Sequence, residues 1–248
     1  MSIVFQSNKG PTAIEIDTIE CIILAGGLGT RLRSAVPDLP KCMAPINGKP
    51  FLKYLIDYLL EQGVTKFIFA LGYLHEIIED FIKSDYPALQ YSIALETEPL
   101  GTGGAISLAC KKATTKNVIV LNGDTMFKVH VKELLHFHLQ QDSSCTLSLK
   151  PMQDFDRYGV VEINKDGYIQ DFKEKQFYHS GLINGGVYAL NIDQLNELHF
   201  PEKFSFEKDY LEKYFSNQKM MGLIQDEYFI DIGIPEDFER AGKEFSAS

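Results

Sequence analysis

The sequence predicts one α/β domain built on a mostly parallel central sheet. Short apolar runs rich in β-branched residues alternate with segments of helical spacing, as in β-α-β units. The chain has 248 residues, of which 45% are hydrophobic, and this is enough for one sizeable core. Glycine-rich or acidic motifs follow several of the apolar runs, at the sheet edge where such folds bind ligands.

The elements are expected in a regular order. The predicted strands are 21–24, 66–72, 91–95, 117–124 and 145–150, followed by a hairpin of 158–163 and 168–169 that turns at 164–167. The predicted helices cover 50–60, 75–83 and the segment that leads through Cys110, and another begins at Ser205. Ser205 is a good capping residue, and acidic side chains follow it in the first turn.

Composition excludes several classes of function. Lys and Arg number 24 against 34 Asp and Glu, so the formal charge of minus ten argues against nucleic acid or an anionic membrane as a partner. The four cysteines form no Cys-x-x-Cys pair, which favours core or loop thiols in a reducing compartment. No apolar run of 18 residues and no secretory leader is present, so a cytoplasmic location is expected.

The first 20 residues are predicted to be an extension, and residues 21–248 the single functional domain. Residues 13–19 alternate apolar and polar side chains. This segment could add an edge strand, cover a neighbouring subunit of a homo-oligomer, or be mobile. No chemistry is assigned to it.

A glycine loop follows the first strand. Gly26, Gly27 and Gly29 allow backbone amides to approach an anion, while Arg31 and, ten residues later, Lys41 supply positive charge. The loop lacks the Gly-Lys-Ser/Thr of a Walker A motif and the third glycine of the dinucleotide fingerprint. The alternative is a tight turn without a ligand, but the two cations favour a nucleotide.

An acidic residue ends the fourth predicted strand. Asp124 follows Gly123 at a carboxyl end that should face the glycine loop. Mg²⁺ usually takes one or two carboxylates together with phosphate oxygens, so Asp124 is a candidate metal ligand. A turn or helix-capping aspartate is the structural alternative.

The motif from Gly26 through Thr30 and Arg31 to Leu32, followed by Pro40 and Lys41, resembles the signature of the sugar-1-phosphate nucleotidyltransferases. The resemblance extends from about residue 21 to about residue 240 and is greatest to guanylyltransferases acting on D-glycero-D-manno-heptose 1-phosphate or mannose 1-phosphate. It implies a three-layer Rossmann-like nucleotidyltransferase fold with a mostly parallel, mixed central sheet.

The loop 96–105 resembles the base-recognition loop of this family, in a form closer to guanylyltransferases, and therefore favours GTP. From the residues alone it could equally be a helix entry in which Gly103 and Gly104 are packing contacts. The nucleotide-binding residues implied by the resemblance are Leu24, Ala25, Gly26, Gly27, Gly29, Thr30, Glu98, Pro99, Gly101, Thr102 and Gly103.

Residues of the second half resemble the family's sugar side and its second metal ligand. The sugar-binding residues so implied are Tyr158, Gly159, Glu174, Asn184 and Gly185. Lys175 resembles the lysine that holds the sugar phosphate. Asp231, in Asp-Ile-Gly-x-Pro, resembles the second Mg²⁺ aspartate, and its alternative is a turn acid before a helix.

The expected reaction is attack of a sugar 1-phosphate on the α-phosphorus of GTP, which gives an NDP-sugar and pyrophosphate. The catalytic residues would be Arg31, Lys41, Asp124 and Lys175, with Mg²⁺ on Asp124 and Asp231. No hexapeptide repeat follows the domain, which favours a short, single-domain enzyme of the heptose-phosphate type. The resemblance also implies that the activated heptose or mannose feeds synthesis of a surface glycan. Mannose 1-phosphate, a cytidylyl or uridylyl transfer, and a silent nucleotide-binding subunit are the alternatives.

Overall fold

Seven strands form one mixed central sheet in the computed structural model, which describes residues 16–27 and 38–245. The strands are β1 (Glu20–Leu24), β2 (Pro45–Ile46), β3 (Lys49–Pro50), β4 (Lys66–Leu71), β5 (Tyr91–Leu95), β6 (Asn117–Asn122), β7 (Thr125–Phe127), β8 (Cys145–Phe155), β9 (Val161–Ile163), β10 (Ile169–Phe172), β11 (Tyr178–Asn191), β12 (Met220–Ile224) and β13 (Phe229–Asp231). The central sheet has the order β12-β8-β11-β6-β1-β4-β5. Only β11 runs antiparallel to its neighbours in this sheet, so the predicted mostly parallel, mixed sheet is confirmed.

Helices cover both faces of the sheet. They are α1 (Phe51–Glu61), α2 (His75–Asp85), α3 (Gly101–Cys110), α4 (Val131–Gln141), α5 (Ile192–Asn196), α6 (Glu212–Tyr214) and α7 (Pro235–Glu244), with a 3₁₀ turn at Lys41–Met43 and a π-helical segment at Phe206–Leu211. Along β1, Cys21 and Ile23 enter one apolar cluster with α1, α2 and α4, whereas Ile22 enters the other with α3. Because successive side chains of a strand point to opposite faces, the sheet has one apolar core on each face. With helices on both sides, the domain has three layers.

Most predicted elements of the first half are confirmed with small shifts of their ends, and the hairpin at 164–167 is confirmed as β9 and β10. Ser205 caps the segment that follows it, since its hydroxyl accepts a hydrogen bond from the Lys208 amide. The four cysteines are buried free thiols, as expected. Within the described residues, no helix is long and apolar enough to cross a membrane.

The sequence did not predict β11 as a strand. Its residues Gly181, Asn184, Gly185 and Gly186 are typical of turns, yet β11 pairs with β6 on one side and β8 on the other. The pairing with β8 shifts register between Asn184 and Tyr188, which is the bulge that accommodates Gly186 at a φ of 72°. Strand β8 is likewise longer than expected, because its distal half pairs only with β11.

The predicted extension lies mostly outside the described residues. Residues 16–19 are not in a strand, although the Ile19 amide donates to the Thr65 hydroxyl at 3.1 Å. Glu20, which was expected to end the extension, instead begins β1 and is fully buried. Its carboxylate accepts hydrogen bonds from the Thr114 amide at 2.7 Å and the Lys66 ammonium at 2.9 Å, so it anchors the start of β1.

Candidate active site

The site lies at the carboxyl ends of β1, β4 and β6, which run parallel and side by side. The segments that leave these ends are tied together by backbone hydrogen bonds: Ala25 donates to Ala70 at 2.9 Å, and Gly123 donates to Leu24 at 2.8 Å. The glycine loop and Asp124 therefore emerge at one edge, as expected for a parallel sheet.

A cavity of about 630 Å³ opens at this edge. Seven of the predicted nucleotide-binding residues line it, namely Leu24, Gly26, Gly27, Glu98, Pro99, Gly101 and Thr102. The wall is completed by Ala70, Gly72, Tyr73, Glu96, Thr97, Ala105, Asn122, Asp124 and Glu207. Its size and glycine-rich wall suit a nucleotide.

Two predicted nucleotide residues do not line this cavity. Ala25 is buried beside the strand. Gly103 lies against Phe204, and a Cβ atom there would sit 2.2 Å from the ring. The close approach at Gly103 is thus to protein, which matches the packing alternative rather than a ligand contact. Gly29, Thr30 and the proposed catalytic Arg31 lie outside the described residues.

Lys41, Asp124 and Asp231 come together although the two aspartates are 107 positions apart. The Lys41 ammonium donates a hydrogen bond to Asp124 Oδ2 and lies 3.8 Å from Asp231 Oδ1. Strand β13 carries Asp231 opposite Thr125 of β7, and the Ile232 amide donates to the Asp124 carbonyl at 3.0 Å. A two-stranded ribbon therefore brings the end of the chain to the end of β6.

The electrostatics of this cluster fit a divalent cation. Burial, followed by the nearby Asp124 charge, raises the pKa of Asp231 above its ordinary value, and Lys41 offsets only part of the rise. Within the described part of the chain, no group of three or more His, Cys, Asp or Glu residues could hold a metal ion by itself. Two hard carboxylates with room for phosphate oxygens are the donor set that Mg²⁺ accepts in nucleotide sites.

A second cavity of about 600 Å³ adjoins the first. All five predicted sugar-binding residues and the predicted Lys175 line it: Tyr158, Gly159, Glu174, Lys175, Asn184 and Gly185. Asp231 also borders it, whereas Asp124 borders the first cavity. The two carboxylates therefore stand where the cavities meet.

Sequence reasoning missed several wall residues. Asn122 and Glu207 border both cavities, and Glu96 borders the first. Asn122 is the last residue of β6, directly before the Gly-Asp pair, and that position was the available signal. Glu207 was predicted only as one of the acidic side chains in the first turn after Ser205, and the π-helical segment reaches the site through its packing on α3.

An ion pair beside the second cavity also went unrecognised. The Arg157 guanidinium pairs with Asp237 and donates a hydrogen bond to the Tyr158 hydroxyl at 3.2 Å. Asp237 lies in the first turn of α7 and pairs with Arg240 as well. The pair fastens the cavity-lining Tyr158 to the C-terminal helix.

Comparison with known proteins decides the family. The model of the nucleotidyl transferase family matches residues 20–248. The chain belongs to this family. A nucleotidyl transferase was the expectation from the glycine loop, and the matched range includes every candidate site residue.

Two curated relatives of this nucleotidyl transferase share nearly its whole length. A D-glycero-α-D-manno-heptose 1-phosphate guanylyltransferase of Aneurinibacillus thermoaerophilus is 49% identical over 226 residues, which cover 91% of this chain and 98% of the relative. The protein of the same name from Campylobacter jejuni is 44% identical over 220 residues, which cover 89% of this chain and 97% of the relative.

A solved structure has the same fold. HddC from Yersinia pseudotuberculosis, crystallised in complex with GMP-PN, is 40% identical, and the match covers 92% of this nucleotidyl transferase and 100% of HddC with a TM-score of 0.83. The expected nucleotidyltransferase fold is thereby confirmed.

Proposed function

We propose that this nucleotidyl transferase moves a guanylyl group from GTP to D-glycero-α-D-manno-heptose 1-phosphate, releasing pyrophosphate and forming the GDP-heptose. The observation that carries the proposal is the pair of adjoining cavities, with Asp124 and Asp231 on either side of their junction and Lys41 against both. One cavity suits the nucleotide and the other the sugar phosphate.

The reaction needs no nucleophilic side chain. An oxygen of the sugar phosphate, already anionic at neutral pH, forms a bond to the α-phosphorus of GTP while the bond to the β-phosphate oxygen breaks. The pyrophosphate leaves with the electron pair of that bond. The main obstacle is repulsion between two anions, which positioning and fixed positive charge reduce.

The charged residues divide this work. Lys41 lies beside the aspartates and would neutralise the triphosphate together with Arg31, while Lys175, on the sugar cavity wall, would hold the incoming phosphate. Asp124 and Asp231 would hold Mg²⁺. When bound, the cation would neutralise phosphate charge and align the two substrates.

The guanine and heptose assignments are supported by relatives. Both curated proteins named above carry the name heptose 1-phosphate guanylyltransferase, and they match about nine-tenths of this chain. HddC was crystallised with GMP-PN. Seven of the residues predicted to contact the nucleotide line a cavity of suitable size here.

The function is tested by measuring pyrophosphate release from ATP, GTP, CTP, UTP and dTTP against the 1-phosphates of heptose, mannose and glucose. Release is expected with GTP and the heptose phosphate, and EDTA should abolish it. Faster turnover of mannose 1-phosphate would show that mannose, not heptose, is the sugar of the substrate. Faster turnover of a pyrimidine nucleotide would show that the base is not guanine. Folded protein that binds GTP but releases no pyrophosphate would favour a silent binding subunit.

The metal, the oligomeric state, the domain bounds and the cellular location can each be measured separately. Mg²⁺ should restore activity after EDTA better than Ca²⁺, because a small octahedral cation suits two carboxylates and phosphate oxygens. A homo-oligomer should appear in sedimentation at micromolar concentration. A shortened chain that begins at Glu20 should fold and remain active as one domain, and fractionation should recover the enzyme with cytoplasmic markers.

A further inference from the structure

Glu207 stands at the boundary of the two cavities and was assigned no role above. It comes from the π-helical segment and borders both cavities, a position that it shares with Asn122 among the described residues. It is half-buried rather than free in solvent. A carboxylate at the boundary of the two cavities is a candidate for a direct hydrogen bond to a substrate.

One oxygen of Glu207 is already held by protein. Oε2 accepts a hydrogen bond from the Thr102 hydroxyl at 2.9 Å and a longer one from the Ser205 hydroxyl at 3.4 Å. The Thr102 oxygen itself accepts from the Phe206 amide at 2.9 Å, so its single proton is directed to Glu207. This arrangement fixes the carboxylate in one orientation.

The other oxygen remains available. Among the described residues, hydrogen bonds reach only Oε2, which leaves Oε1 as an acceptor. An ionised carboxylate has about four acceptor positions, so Oε1 can accept a hydrogen bond from a bound ligand. A hydroxyl group of a ligand is the simplest donor to such an oxygen.

The neighbours of Glu207 favour the sugar over the ribose. Ser205, Lys208 and Tyr188, which flank it, line the second cavity and not the first. Burial raises the pKa of Tyr188 well above its ordinary value, and the charge of Glu207 adds to the rise. Tyr188 in turn accepts a hydrogen bond from the predicted sugar-binding Asn184 at 2.9 Å.

We propose that Glu207 is a specificity-determining residue whose Oε1 accepts a hydrogen bond from a hydroxyl of the sugar 1-phosphate, in an orientation set by Thr102. Because Thr102 lines the nucleotide cavity, the same contact links the two sites. The inference rests on the proposed function, since it assumes that the second cavity takes a sugar phosphate.

The test compares Glu207→Gln with Glu197→Gln, which removes an exposed carboxylate that lines neither cavity. Both variants are assayed with whichever nucleotide and sugar phosphate the wild type uses fastest. Glu207→Gln should raise KM for the sugar phosphate roughly tenfold or more, change KM for the nucleotide less than twofold and keep the melting temperature. Glu197→Gln should resemble wild type.

Variants of Thr102 provide a second test. Thr102→Val should also raise KM for the sugar phosphate, and Thr102→Ser, which keeps the hydroxyl, should restore it. The Glu207→Gln and Thr102→Val effects should be less than additive, because both break one contact. Fully additive effects would overturn the linkage through Thr102.

The remaining outcomes separate this inference from the proposed function. A Glu207→Gln enzyme that matches Glu197→Gln overturns the inference while the function stands. The same conclusion follows if Glu207→Gln changes only KM for the nucleotide, or only the preference for GTP over 2′-deoxy-GTP, since the hydroxyl would then belong to the ribose. If the wild type turns over no pair, the proposed function fails, and calorimetric titration of the protein with sugar 1-phosphates decides whether Glu207 contributes to their binding.

Discussion

The Lys41 ammonium donates a hydrogen bond to the Asp124 carboxylate and lies 3.8 Å from Asp231 Oδ1. The lysine side chain is 12% exposed, so the interaction is only partly screened by water. One cation therefore holds two acids that come from distant parts of the chain.

Removing that cation should affect both turnover and folding. Lys41→Met is expected to lower kcat at least a hundredfold, the usual effect of losing one preorganised charge at a reacting phosphate. In EDTA the variant should also melt at a lower temperature than wild type, because without the Lys41 ammonium the two carboxylates repel each other. Lys49→Met, at an exposed lysine of β3, is the matched control and should leave both unchanged. An active Lys41→Met enzyme would contradict the site.

Asp231→Asn should separate function from stability. Burial and the Asp124 charge raise the folded-state pKa of Asp231 above its unfolded value of 3.8, so ionisation is less favourable in the folded chain. Protonated Asp231 therefore stabilises the folded chain. Its contribution to the free energy of unfolding is complete below pH 3.8 and is lost as pH rises through the folded-state pKa. The variant should lose activity at neutral pH yet melt in EDTA at the same or a higher temperature than wild type.

Asp166→Asn, in the exposed hairpin turn, provides the comparison for that experiment. Mg²⁺ should raise the melting temperature of wild type and Asp166→Asn but not of Asp231→Asn. A lower melting temperature for Asp231→Asn in EDTA would show that its pairing with Lys41 outweighs the effect of burial.

The two central glycines of the loop should respond differently to alanine. A Cβ atom at Gly26 would lie 2.6 Å from Glu96 Oε1 and 3.0 Å from the Gly72 amide, whereas a Cβ atom at Gly27 meets no described atom within 4 Å. Gly26→Ala should lower the melting temperature and weaken GTP binding. Gly27→Ala should weaken GTP binding alone, because no described atom approaches there, whereas a bound nucleotide would. Calorimetry of both variants with GTP checks this, and unchanged affinity of Gly27→Ala would argue against a close nucleotide.

Glu20 should be a stability residue without a role in turnover. Burial is the largest influence and raises its pKa, but hydrogen bonds from the Thr114 hydroxyl, Lys66 and two backbone amides hold the pKa below its ordinary value of 4.5. Glu20→Gln should cost roughly 3 kcal/mol of unfolding free energy, as for a broken buried ion pair, with kcat kept. Denaturant titration with Glu197→Gln as control measures this.

The effect of Glu20 should depend on pH in a defined direction. Because its folded-state pKa is lowered, its stabilisation is complete above about the unfolded value and disappears as pH falls through the folded-state pKa. The difference between wild type and Glu20→Gln should therefore shrink below pH 4.5. A difference that grows on acidification would contradict the assigned charge.

Local motifs were predictable from the sequence, whereas long-range geometry was not. Lys41 and Asp124 belong to short patterns whose chemistry is readable from neighbouring residues, and Asp124 lies just after β6, where a parallel sheet would place it. Strand β11 was missed because its glycines favour turns, and only pairing on both sides makes it a strand. The sequence explained Glu207 as an acid at the start of a helix, and its place in the site was missed because it depends on the packing of α3 and the π-helical segment.

The β7–β13 ribbon also has a consequence for the order in which the site is completed. Ribosomes deliver the chain from its N-terminus, so Lys41 and Asp124 can meet long before residue 231 has been synthesised. A nascent chain would have the glycine loop and one acid while still lacking the second. Both aspartates come together only after β13 has paired with β7, which delays the complete site until residue 231 has left the ribosome.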